Sequence, residues 1–268
     1  MLGQNARKVY EGYLAGTDQE RLDDIHAMFA DKRVDAIFCA RGGYGTTRLL
    51  ASLDYDLIKR NAKIFVGFSD TTALQFAILK RTGLVTFSGA MPSVDMADGF
   101  DSLAEESLWR ALTSTKPLGV VQKDAPLSVV KKGKCEGAFV AGNLSLISNL
   151  IGTPYMPSLR NAILAVEDIG EETYRIDRLL THLVNAGVMS SISGLVTGYW
   201  TQKKWEKGMT ANRDVRRVIE EIAEHVNGPV VSGLLYGHES HKLTLPIGVQ
   251  AQVTTTGALK FTESALVV

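Results

Sequence analysis

The chain has 268 residues, 45% of them apolar and 22% charged, which suits a globular protein with one large core or two modest ones. Twenty-nine basic residues balance 29 acidic ones, so no net field draws nucleic acid or an anionic membrane surface. Its two cysteines lack Cys-x-x-Cys spacing, no apolar run reaches the length of a membrane span, and the first residues show no signal-peptide core. A disulfide framework and a zinc site are therefore not expected, and the expected compartment is the cytoplasm.

Residues 4–30 read as helical, with Leu22, Ile25, Met28 and Phe29 on one stripe and Thr17-Asp18-Gln19-Glu20 as a helix-start signal. Val34-Asp35-Ala36-Ile37-Phe38-Cys39-Ala40 follows as a short buried strand. It runs into Arg41-Gly42-Gly43-Tyr44-Gly45, a glycine-rich turn that opens a helix. Ile64 to Phe68 is the next apolar run. It stops at Ser69, and from Thr72 the apolar residues Ala73, Phe76, Ala77 and Leu79 recur at helical spacing. A further strand lies at Val85-Thr86-Phe87-Ser88 and a helix at 102–112. This alternation implies an α/β protein with a doubly wound, mostly parallel N-terminal sheet. Such a unit normally begins with a strand, whereas this chain opens on a helix, so the N-terminal sheet is expected to lack its first strand.

Residues 116–134 are polar with some strand character, and a boundary is expected there: an N-terminal domain at 1–115, a linker at 116–135 and a C-terminal domain at 136–268. In the second part a helix follows Gly142-Asn143 and runs to about residue 150. The strand Ala162-Ile163-Leu164-Ala165-Val166 ends in Glu167-Asp168, and a helix spans 174–185. Gly194-Leu195-Val196-Thr197-Gly198 is a strand, 199–210 an irregular loop carrying Trp200 and Trp205, 214–226 a helix and 229–233 a strand. The remainder alternates like antiparallel β. No internal repeat is present.

Ligands of doubly wound sheets bind beyond the carboxyl ends of the strands, where both the glycine turn and Ser69 fall. Gly67-Phe68-Ser69-Asp70 resembles a nucleophile elbow without the second glycine of Gly-x-Ser-x-Gly; a plain helix cap is the competing reading. A serine nucleophile needs a base, and the base a carboxylate. Of five histidines, His26, His182 and His225 fall in helices, whereas His238 and His241 lie on a loop beyond a strand end. His-Glu-Ser-His also admits a metal reading, but it lacks the helical His-Glu-x-x-His spacing and an evident third ligand. Glu167 is the candidate carboxylate; alternatively it or Asp168 caps the next turn or pairs with Arg175 or Arg178. Asp70 adjoins the serine, so its backbone N–H is better placed for an oxyanion hole than its side chain is for a triad. The glycine turn matches neither Gly-x-Gly-x-x-Gly nor the Walker pattern, which leaves it as a source of a second oxyanion donor.

Taken in order, Arg41-Gly42-Gly43-Tyr44-Gly45, Gly67-Phe68-Ser69-Asp70, Gly142-Asn143-Leu144, Ile163-Leu164-Ala165-Val166-Glu167-Asp168, Tyr174-Arg175-Ile176-Asp177-Arg178 and Gly237-His238 with Leu245-Pro246-Ile247-Gly248 resemble the LD-carboxypeptidase family of serine peptidases. That family includes muropeptide LD-carboxypeptidases and microcin C self-immunity proteins. The resemblance implies a Ser69–Glu167–His238 triad, an oxyanion hole from the N–H groups of Asp70 and Gly43, and a β-rich α/β C-terminal domain. It also implies a homodimer, a peptide or muropeptide substrate, and no metal or organic cofactor. Arg41, Asn143, Trp200 and Trp205 are candidate substrate contacts; the alternatives are a structural ion pair for Arg41, a helix cap for Asn143 and surface or interface aromatics for the two tryptophans. The functions so implied are removal of a terminal D-amino acid from muropeptides, or cleavage of a peptide–nucleotide conjugate. Ligand binding without catalysis is the alternative on the same scaffold.

Overall fold

A computed structural model describes residues 1–201 and 214–266. Helix α1 (Asp18–Ala30) starts at a capping box: the Thr17 hydroxyl accepts from the Glu20 N–H at 3.3 Å and the Glu20 carboxylate from the Thr17 N–H at 2.8 Å. The helix read from residue 4 begins only here. The segment before it is turns, ending at Gly16 with φ 94°, a left-handed backbone that no continuing helix accommodates.

Strands β1 (Ala36–Phe38), β2 (Ile64–Gly67) and β3 (Thr86–Ser88) pair in parallel, linked by α2 (Tyr55–Arg60) and α3 (Thr72–Thr82). Phe65 and Val66 show how this sheet is covered. Adjacent strand residues face opposite ways, so Phe65 joins the core with Phe29, Ile58 and Ala73. Val66 packs instead with Phe87 and with Leu108 of α5 (Ser102–Thr113), which follows the short α4 (Pro92–Asp95). Helices on both faces make the unit doubly wound.

The second sheet is built from β4 (Gly119–Val120), β5 (Ser128–Lys131), β6 (Cys135–Asn143), β7 (Ile163–Ile169), β8 (Gly194–Thr201), β9 (Val230–Ser232), β11 (Gln250–Val253) and β12 (Leu259–Phe261). Its order is β4-β12-β11-β6-β7-β8-β9-β5. The four central strands β6 to β9 run parallel, and the flanking pairs are antiparallel. Residues 116–135 thus supply both outermost strands. Tyr199, Trp200 and Thr201, read as loop, extend β8 beside Asp168 and Ile169 of β7. Helices α6 (Leu144–Leu150), α7 (Thr173–Asn185), α8 (Val188–Ser191) and α9 (Val215–Ala223) contribute Ile147, Leu180, Met189 and Ile219 to the core that takes Leu164, Val166 and Leu195. The alternate residues Ile163, Ala165 and Val196 pack with Phe68, Tyr236 and Leu243.

One late strand ties the two sheets together. Strand β10 (Leu245–Ile247) leaves the C-terminal part and pairs antiparallel with β3. The segment just before it, which carries His238, is thereby drawn against the strand ends of the first sheet. Among the described residues no helix is long and apolar enough to cross a membrane.

Candidate active site

Strand β2 is followed by extended Phe68, and Ser69 then takes φ 64°, a left-handed conformation that costs a residue bearing Cβ about 1–2 kcal/mol. A 3-10 turn over Ser69–Thr71 leads into α3. The sharp reversal is held by the Phe68 carbonyl, which accepts from the Thr71 N–H at 3.3 Å and its hydroxyl at 2.9 Å. Two glycines make room for it. A Cβ on Gly67 would lie 2.3 Å from the Thr71 hydroxyl oxygen, and one on Gly42 would lie 2.8 Å from the Ser69 Cβ. The second close approach that a nucleophile elbow needs therefore comes from the glycine turn after β1, not from the residues following the serine.

Asp70 fastens that turn down. Its Oδ2 accepts from the Thr46 N–H at 2.9 Å, and its carbonyl from the Thr46 hydroxyl at 2.5 Å. The Asp70 carboxylate therefore points away from Ser69. Cys39 lies close by, but burial pushes its thiol up to about 12, which removes it as a competing nucleophile.

His238 stands between the two sheets' strand ends. Its Nε2 is 2.8 Å from Ser69 Oγ and its Nδ1 is 2.7 Å from Glu167 Oε2. An ionised carboxylate only accepts, so Nδ1 carries the proton and Nε2 is left to accept the serine hydroxyl. The imidazole packs against the Phe68 ring, with centroids 4.8 Å apart. Gly237 is needed at the entry to this position, since a Cβ there would meet Tyr199 at 2.7 Å.

Glu167 is fully buried at the end of β7. Desolvation raises its pKa; the hydrogen bond and charge of His238 oppose this, and the neighbouring Asp168 charge adds to it. The Glu167–Asp168 pair is organised by Asn143. Its side-chain NH2 donates to Glu167 Oε1 at 3.3 Å and to Asp168 Oδ1 at 2.8 Å, while its oxygen caps α6 by accepting from the Leu146 N–H at 3.2 Å. Asp168 Oδ2 also takes the Ser145 N–H at 3.0 Å and hydroxyl at 2.7 Å. Arg175 pairs with Glu171 and Glu172 rather than with this carboxylate pair.

Behind Phe68 lies a feature that no sequence motif announced. Lys242, only 3% exposed, pairs with Asp95 Oδ1 at 2.7 Å and sits 4.6 Å from the centroid of the Phe68 ring. The aromatic that packs against His238 is thus also in contact with a buried ion pair.

The remaining expected site residues divide. Arg41 is exposed with no ion-pair or hydrogen-bond partner among the described residues, and Gly43 follows with φ 112° on the exposed crest of the turn. Asn143 is buried, and its amide is committed to the carboxylates and the helix start. Trp200 is turned to the α9 side of the sheet, lining a separate pocket with Thr197, Arg216 and Ile219, so the structure does not bring it to Ser69. Trp205 falls outside the described residues. His241 meets Asp101 at 3.2 Å instead of joining His238, and among the described residues no cluster of three or more His, Cys, Asp or Glu could hold a metal. A pocket of about 380 Å3 between α5 and the 118–125 segment is lined by none of Ser69, Glu167 and His238.

Comparison with known proteins places this geometry. Residues 2–89 match the family model of the LD-carboxypeptidase N-terminal domain, and residues 136–253 that of the LD-carboxypeptidase C-terminal domain. The "Probable murein peptide carboxypeptidase" of Bacillus subtilis is 39% identical over 254 residues, covering 93% of this chain and 78% of its own. Among solved structures, the microcin C7 self-immunity protein MccF in its wild-type apo state superposes with a TM-score of 0.90 at 26% identity, over 99% of this chain and 86% of its own. The muramoyltetrapeptide carboxypeptidase of Oxalobacter formigenes does so with a TM-score of 0.83 at 31% identity, over 96% and 86%.

Proposed function

The chain belongs to the LD-carboxypeptidase family, and from that membership we propose that it is a serine carboxypeptidase that hydrolyses the amide bond to a terminal D-amino acid of muropeptides. The observation that carries this reading is the unbroken contact from Ser69 Oγ through His238 to Glu167 Oε2.

In this mechanism Ser69 attacks the scissile carbonyl while His238 Nε2 takes its proton. The positive charge formed on the imidazole is stabilised by Glu167 across the Nδ1 hydrogen bond. Negative charge on the carbonyl oxygen is met by the N–H groups of Asp70 and Gly43, on the two turns that Thr46 clamps together. His238 then protonates the departing amine. Water, deprotonated by the same nitrogen, cleaves the acyl-serine and restores the enzyme. Arg41 has a free guanidinium on the crest of the glycine turn and serves to receive the substrate's terminal carboxylate. The oxyanion hole acts on the reacting atoms, and Glu167 acts through His238; Arg41 selects the substrate.

The likeness to MccF favours a second reading, cleavage of a peptide–nucleotide conjugate of the microcin type. Incubating the purified protein with murein tetrapeptide and with such a conjugate, with products read by mass spectrometry, decides between them. Loss of the terminal D-amino acid from the tetrapeptide is expected. Turnover of the conjugate alone would establish the second reading instead, and turnover of neither would return the chain to a ligand-binding role.

A further inference from the structure

The crest that carries Arg41 continues into Tyr44, which is 57% exposed. Against it lies Tyr13, 61% exposed, with ring centroids 5.9 Å apart and planes at 49°. Tyr10, 40% exposed, belongs to the same small loop, closed by paired backbone bonds between Tyr10 and Leu14 at 2.8 and 3.0 Å. Neither the Tyr13 nor the Tyr44 hydroxyl has a partner among the described residues.

This aromatic surface is not a loose tail. Leu14 is buried against Gly45, where an added Cβ would lie 2.6 Å from its methyl group. Asp18 binds Arg48 of the turn at 2.8 Å and Arg21 of α1 at 2.6 Å. The rings are therefore presented by fixed backbone, and tyrosines so held offer broad contact area with little entropy to lose on binding. An exposed aromatic patch continuous with a candidate active site marks a place where a ligand or partner lies.

We infer that Tyr13 and Tyr44 form a platform for the saccharide joined to the amino end of the stem peptide, an inference that rests on the muropeptide reading above. Arg41 and Tyr44 flank the glycine pair. With the leaving residue's carboxylate at Arg41, the acyl part of the substrate runs the other way, over Tyr44. Three stem residues span about 10 Å when extended, and Tyr44 lies within about 7 Å of Gly42 along the chain, with the Tyr13 ring a further step out. That reach carries the sugar past Tyr44, where the inner stem residues lie, to the Tyr13 ring, whose centroid is 5.9 Å from that of Tyr44. Both faces are uncharged, which suits the C–H-lined face of a pyranose better than the ionised side chains of the stem.

The test compares kcat/KM for free tetrapeptide with that for the same tetrapeptide linked to N-acetylmuramic acid. The wild-type protein is expected to prefer the sugar-linked form by about three- to tenfold, the scale of one aromatic contact. Tyr13→Ala should collapse that ratio towards one, and Tyr13→Phe, which keeps the face, should preserve it. Turnover of the free peptide with no preference for the sugar, or an unchanged ratio in Tyr13→Ala, overturns this inference alone. Turnover of neither overturns the peptidase reading and takes this one with it. A change of oligomeric state in Tyr13→Ala with an unaltered ratio would identify the patch as a contact between copies and also overturn it.

Discussion

The two halves of the candidate site are held in different ways. The serine is positioned locally: Gly67, Ser69 and Thr71 shape one turn, and its left-handed φ of 64° is a property of that backbone. The histidine and glutamate are positioned at long range. His238 meets a carboxylate 71 residues away and a hydroxyl 169 residues away, and Glu167 depends on Asn143 at the end of a neighbouring strand. On one side sterics fix the geometry; on the other, buried charge and its hydrogen bonds do so. Substitutions on the serine side should therefore read out in chemistry and backbone strain, and those on the other side in electrostatics and pH.

The largest effect is expected from Ser69→Ala, a fall in kcat of roughly four orders of magnitude or more with the fold retained, the scale seen when a triad nucleophile is lost. Near-wild-type turnover by purified Ser69→Ala would end the nucleophile assignment. Glu167→Gln should follow with a loss of about three to four orders, because the amide favours the wrong imidazole tautomer.

The same variant separates stability from activity along the pH axis. Burial raises the Glu167 pKa, so the folded state holds that proton more tightly than the unfolded one. Its contribution to stability is fully present below the ordinary glutamate value and is lost as pH rises through the raised one. Activity, which needs the ionised form, should grow across that same interval. Urea midpoints of wild type against Glu167→Gln, measured beside kcat/KM, should diverge in favour of the glutamine variant as pH rises. Parallel midpoints would show that the buried carboxylate does not titrate in that range.

This division also explains what the sequence disclosed. The elbow and the glycine turn were legible because strand, turn and helix follow one another within a few residues, and each glycine marks a steric need. The buried apolar run of β7 leading into Glu167 was visible for the same reason. From sequence alone Asn143 reads as a cap or a substrate contact, because its commitment to Glu167 and Asp168 appears only when β6 and β7 lie side by side. The Lys242–Asp95 pair behind Phe68 has no local signal at all: a lysine in a loop reads as solvated until the fold encloses it. Strand β10 was seen as antiparallel β, but its crossing to the first sheet depends on tertiary pairing that residue pattern does not encode.

A smaller loss tests the long-range side without touching the triad. Asn143→Ala removes one charge-directed hydrogen bond to Glu167 and one to Asp168, and such bonds contribute about 1.5–3 kcal/mol. A decrease in kcat/KM of about 10- to 100-fold is expected, carried by kcat, with the acid limb of the pH profile displaced. An effect confined to KM would instead make Asn143 a substrate contact after all.

The smallest effect tests the local side through stability alone. If the left-handed conformation at Ser69 is imposed by the elbow, Ser69→Ala keeps a Cβ in a strained position while Ser69→Gly releases it. Glycine gains about 1–2 kcal/mol by shedding the strain and gives back about 0.5–1 kcal/mol through its freer unfolded chain. Ser69→Gly should therefore be the more stable of two equally inactive proteins, by about 0.5–1 kcal/mol in urea unfolding. The matching pair Ala73→Gly, in the buried first turns of α3, should move the other way, since helical backbone there favours alanine. A glycine that destabilises position 69 as it does position 73 would mean that the serine is held by its contact with His238, and the contrast between the two halves of the site would disappear.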